Sequence, residues 1–152
     1  MGAWGIRALQ SDEGLDVLNF LEKTCLPGHT ALKLEEIINS MKDDGFFGET
    51  FEEIDFFYDQ SALALTELYL DWLDTGKFPD GESWDHIKEF TASGEALGFL
   101  LRYLHDIRDE VPDEDGEREI VELWKDSPSR DEWSTHLDTL IQKLEKQIEG
   151  GT

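Results

Sequence analysis

Apolar side chains return every three or four positions in one stretch of this chain after another, and that period points to a packed set of helices. Leu34, Ile37, Ile38 and Met41 form the i, i+3, i+4, i+7 stripe of an amphipathic helix. Ahead of it, Leu15, Leu18, Leu21 and Cys25 predict a helix that opens at Ser11 or Asp12 and stops at Pro27-Gly28. Residues 60–75 are apolar nearly all round, leaving only Glu67, Asp71 and Asp74 as a narrow polar strip. A helix of that kind is expected in the middle of a bundle. Leu97, Leu100, Leu101, Leu104 and Ile107 predict a long helix over 93–110, ended by Pro112. Ile120, Leu123 and Trp124 predict another over 115–125. Ser129 and Glu132 form a capping box that opens a last helix, whose inner stripe runs Trp133, Leu137, Leu140, Ile141, Leu144, Ile148.

Two stretches are less regular. Thr50 and Glu53 pair as a second capping box and favour a short helix to about Phe57, against the strand that the aromatic run 51–58 would also suit. Residues 83–90 are expected to hold a helical turn. The chain of 152 residues has the length of one domain. The expected fold is therefore all-α: residues 1–152 as a single helical bundle or orthogonal array of six or seven helices.

Charge narrows the partners. Thirteen basic against 36 acidic residues give a net charge of −23. Such a field repels nucleic-acid phosphates and anionic membrane surfaces, so neither is an expected partner. Residues 106–122 concentrate it, with nine acidic side chains against Arg108 and Arg118. Asp109, Glu110, Asp113, Glu114, Asp115 and Glu117 are the candidate face for a basic protein partner, although a charge run is more often a solvated surface. The single Cys25 excludes an intramolecular disulfide. No apolar run nears the ~20 residues of a membrane span. Residues 1–6 do not read as a secretory signal, and Ile6 departs from the myristoylation pattern. A cytoplasmic location is expected.

Chemistry-bearing patterns are weak. Gly116 can be set on the sharp-turn glycine of a calcium-binding loop, which puts Asp113, Asp115 and Glu122 on ligand positions. Val111 then falls where the first ligand belongs and has no side-chain oxygen, so an acidic solvated helix start is preferred. His86, His105-Asp106 and Asp138 follow the His…His-Asp…Asp order of helical metal-dependent phosphohydrolases. The match stops at the order, and lone surface histidines are preferred. Cys25 sits on an apolar stripe and reads as a small buried hydrophobe rather than a nucleophile. No cofactor is implied, and the reading leans away from an enzyme.

The opening Met1-Gly2-Ala3-Trp4-Gly5, followed by Asp12 and Leu15-Asp16, resembles a bacterial family, a domain of unknown function, whose members begin Met-Gly-Ala-Trp-Gly and continue with Asp and Leu-Asp. The runs Gly45-Phe46-Phe47-Gly48 to Phe56-Phe57-Tyr58-Asp59, and 99–104 continuing into 111–116, are similar to its variants. Members usually carry Thr after the second glycine, where Ile6 stands here. The resemblance implies no activity. It implies a motif, Gly2, Trp4, Gly5, Asp12 and Asp16, for which a structural role is expected: glycines freeing the backbone and Trp4 burying a ring against the first helix.

The leading expectation is a non-enzymatic, acidic protein-binding module, in its most concrete form an immunity or inhibitor protein that masks a basic partner. A metal-dependent hydrolase using His86, His105, Asp106 and Asp138 is the second reading. A structural or assembly subunit is the third, and the oligomeric state stays open.

Overall fold

Twelve successive residues from Asp59 to Leu70 are buried, and the helix that carries them, α3 (Phe56–Thr75), is the axis of the fold. The computed structural model describes residues 6–76 and 86–150. A helix buried on every side must be surrounded, as its all-round apolar sequence requires. Ahead of it lie a 3-10 turn (Ala8–Gln10) and α1 (Asp12–Thr24), both packed on α3. The short strand β1 (Ala31–Lys33) runs directly into α2 (Leu34–Asp43). After α3 come β2 (Glu89–Thr91), α4 (Gly94–Arg108), α5 (Glu119–Lys125) and α6 (Arg130–Gly150). The most extensive packing joins α4 to α6, with α4 also lying against α3. The protein is one mainly helical domain, with six α-helices among the described residues. No helix among those residues is long and apolar enough to cross a membrane.

Local chemistry sets most of the boundaries. Ser11 caps α1: its hydroxyl accepts the Gly14 N–H at 3.0 Å and donates to the Ala8 carbonyl at 2.5 Å. The inward face of α1 is Gly14, Val17, Leu18 and Leu21, whereas Leu15, expected on the buried stripe, is 42% exposed. The rotation follows from Gly14, where an added Cβ would run into the carbonyl of Ala8. The helix seats its bare backbone on the preceding turn, and Leu15 is swung outward. Ser93 caps α4 by accepting the Ala96 N–H at 3.1 Å. The last helix starts at Arg130, next to the predicted Ser129, whose carbonyl accepts the Trp133 N–H at 2.9 Å.

Three expectations need correction. The short helix over 50–57 does not form: Thr50 to Glu53 is a turn, and Glu53 accepts the Glu49 N–H instead of closing a cap on Thr50. Asp55, accepting the Phe57 N–H at 2.8 Å, is the actual cap of α3. Phe51 is drawn into a ring cluster with Phe99 and Tyr103, and Phe46 packs between Phe20 and Phe57. Aromatic packing, not helical hydrogen bonding, organises this connection. The helical turn over 83–90 falls partly outside the described residues, and its end is strand: Glu89 and Phe90 belong to β2. This strand pairs parallel with β1, Leu32 opposite Phe90, and both of those side chains are buried. Finally, α5 begins at Glu119, four residues later than predicted, because the preceding segment is locked in a loop of its own.

Candidate functional site: an acidic loop held by a buried ion pair

The loop between α4 and α5 is where the acidic stretch lies. At the end of α4 the chain reverses through Glu110, which adopts φ 56°, a left-handed conformation uncommon for a residue with a side chain. The Val111 N–H returns to the Asp106 carbonyl at 3.0 Å. Pro112 then prevents further helix. Asp113 closes the next turn, its Oδ1 accepting the N–H groups of Asp115 at 2.8 Å and Glu117 at 3.1 Å. Its own N–H donates to the Glu117 carbonyl at 2.7 Å, while Gly116 takes φ 82°. Residues 113–117 thus form a compact loop in which four of the five backbone N–H groups are bonded within the loop itself.

Arg118 fastens this loop to the core. Its Nε and Nη2 donate to the two carboxylate oxygens of Asp59 at 2.9 and 2.6 Å, a fork-to-fork pair between side chains that are each 1% exposed. Its Nη1 donates to the Val111 carbonyl at 3.0 Å. One guanidinium therefore joins α3, the loop and the start of α5. Burial pushes the Asp59 carboxyl up to about 6, and the hydrogen bonds and charge of Arg118 only partly oppose that shift. Next to it Tyr103 is also raised, first by burial and then by the Asp59 charge.

The consequence for the surface is electrostatic. One of the two bases in 106–122 is turned inward and neutralised by Asp59, so the seven exposed acids of this stretch (Asp109, Glu110, Glu114, Asp115, Glu117, Glu119 and Glu122) face outward against Arg108 alone. Arg108 itself rests on Asp109 at 3.3 Å. Of the predicted face, Asp109, Glu110, Glu114, Asp115 and Glu117 are exposed, while Asp113 is half-buried and committed to the loop. Sequence reasoning missed Asp59 and Arg118. The available signals were an acid directly ahead of the most apolar stretch and an arginine two residues ahead of the buried Ile120.

A second buried carboxylate, Glu67, was read as part of a polar strip but is 1% exposed. It accepts the N–H groups of Ala8 at 2.8 Å and Leu9 at 2.9 Å, and bonds His136 Nε2 at 2.7 Å. The first turn and α6 are tied to α3 through this one side chain. Of the motif residues, Gly2, Trp4 and Gly5 lie outside the described residues. Asp12 and Asp16 are exposed on α1, Asp12 in its first turn where an acid suits the helix dipole.

The metal candidates are not brought together. His86 Nε2 is bonded to the Leu26 carbonyl at 3.1 Å, and Asp106 pairs with Arg102 at 3.1 Å. His105 lies on α4 and Asp138 is exposed on α6. Among the described residues no group of three or more His, Cys, Asp or Glu side chains is placed to hold a metal ion. Cys25 is half-buried beside a groove of about 450 Å³ lined also by His29, Lys33, Glu36 and Ser40. Burial, and then Glu36, push its thiol up, which favours the protonated and unreactive form.

Residues 2–136 match a family described as a domain of unknown function (DUF4259). No curated protein and no solved structure matches the chain.

Proposed function

The chain belongs to this family of unknown function, and from its own surface we propose that it is a non-enzymatic binding module, acting in the cytoplasm, that docks a basic protein on the 109–117 loop. An immunity or inhibitor protein covering the cationic cleft of a nuclease-like partner is the most concrete form of this reading. The observation that carries it is the inward turn of Arg118, which leaves the loop with almost no compensating charge while anchoring it firmly. A preformed anionic loop loses little conformational freedom on binding, and complementary charge speeds encounter. A carboxylate row of this kind can occupy sites that a partner reserves for phosphates.

The test separates this loop from the general charge of the molecule. In one variant Glu110, Glu114, Asp115 and Glu117 become Gln or Asn. In a second, four exposed acids of α6 (Asp131, Glu132, Asp138, Glu145) are changed in the same way, so that both variants carry equal charge. Binding to a basic partner captured from the native cytosol should be lost in the first, retained in the second, and weakened by salt. Equal losses in both variants, or no salt-sensitive basic partner at all, would defeat the proposal.

A further inference from the structure

Beside the acidic loop, the end of α4, the end of α5 and the start of α6 enclose a recess of about 100 Å³ whose charge is the reverse of the molecule's. Arg108, Lys125 and Arg130 line it, three of the thirteen basic residues in a chain with 36 acidic ones. Trp124 and Trp133 form its apolar wall, their rings stacked within 9° at 5.7 Å between centroids. Helix ends account for two of the cations: Arg108 and Lys125 stand in the last turns of α4 and α5, where the dipole favours positive charge. Their carboxylate partners, Asp109 at 3.3 Å and Glu122 at 3.9 Å, are exposed and therefore weakly held.

Arg130 has no such explanation. It is the first residue of α6, where the positive end of the dipole disfavours a cation. Among the described residues no carboxylate lies within ion-pair distance of it. A cation at the positive end of its helix, with no ion-pair partner among the described residues and sharing a recess with Lys125 and an aromatic wall, is arranged for an anion that arrives from outside. We propose that this recess binds one oxyanion group, a carboxylate or a phosphate, gripped by Arg130 and Lys125 with the paired indoles behind it. The recess is roomy enough for one oxyanion head group, since about 10–15 Å³ of such space already admits a water molecule. Glu110 on the rim and the surrounding negative field disfavour multiply charged ligands. The recess shares Glu110 with the docking loop, but its cations belong to the helix ends, so its anion binding does not rest on the docking role given to the loop.

The experiment follows the indole N–H resonances of Trp124 and Trp133 while acetate, or in a second arm inorganic phosphate, is titrated at constant ionic strength. The buried Nε1 of Trp124 has no hydrogen-bond partner, which leaves its resonance responsive to small changes in the wall. Saturable shifts of both indoles are expected with at least one anion, and whichever arm saturates identifies the oxyanion. The Arg130→Gln/Lys125→Gln variant, exposed at both positions and expected to keep the wild-type melting temperature, should weaken binding at least tenfold. Arg130→Lys should restore part of it. No saturation in either arm, or equal binding in the Gln variant, would overturn the proposal.

Discussion

Arg118 and Asp59 take two charges out of water, and the fold tolerates this only because each satisfies the other through two hydrogen bonds. Removing one partner should therefore cost far more than removing both. Arg118→Met is expected to lose about 3–5 kcal/mol at neutral pH, since it strands a buried carboxylate. Asp59→Leu combined with Arg118→Met should regain most of that stability in urea unfolding, yet leave the 109–117 loop open to protease. The same pair gives a pH dependence of definite sign. With its folded pKa raised from 3.8 to about 6, Asp59 binds its proton more tightly in the folded state. Its contribution is fully present below 3.8 and is lost as the pH rises through about 6. Stability should thus increase as the pH falls from 7 towards 4. Asp59→Asn should flatten that slope and Arg118→Met should steepen it. Gly14 makes a plainer case: Gly14→Ala drives a methyl into the Ala8 carbonyl and should cost about 1–3 kcal/mol, read from the melting temperature.

At the scale of elements, the 113–117 loop depends on the Asp113 carboxylate, and Asp113→Ala should loosen it at a cost of about 1 kcal/mol. Hydrogen exchange at the Asp115 and Glu117 amides checks this: faster exchange confined to the loop is expected, and unchanged rates would show that Gly116 and Arg118 hold it alone. The helices were legible because a buried face repeats its apolar side chains, and α2, with Ile37, Ile38 and Met41 all buried, needed nothing else. The central position of α3 could be read in the same way. The strands were not legible: Ala31-Leu32-Lys33 and Glu89-Phe90-Thr91 are too short to display a period. A parallel pairing across so many residues also leaves no turn signature at either strand. The acidic face was legible as composition. Its anchor was not, because residue type places Asp59, Glu67 and Arg118 at the surface, and only tertiary pairing brings them inside. Leu15 failed for a related reason: the period gives a stripe, but the small volume of Gly14 decides which way the stripe is turned.

Over the whole molecule, a charge of −23 on one compact domain pushes its parts away from each other, and thirteen basic residues are too few to match the 36 acids responsible. Salt screens that repulsion beyond about 8–10 Å near physiological strength, so the folded state gains more from added salt than an expanded chain does. The melting temperature should rise from low to moderate ionic strength. Mild acid should act in the same direction by neutralising surface carboxylates, in addition to the effect of Asp59. The chemistry of the salt tells screening from binding. Sodium chloride and tetramethylammonium chloride should raise the melting temperature equally at equal ionic strength, because screening depends on charge and concentration alone. A calcium salt matched in ionic strength should do no more than these if the Asp113 carboxylate stays engaged with the loop backbone. An increase specific to calcium, abolished by Asp113→Ala, would mean that the acidic loop is a cation site and that its negative charge serves a metal rather than a basic protein.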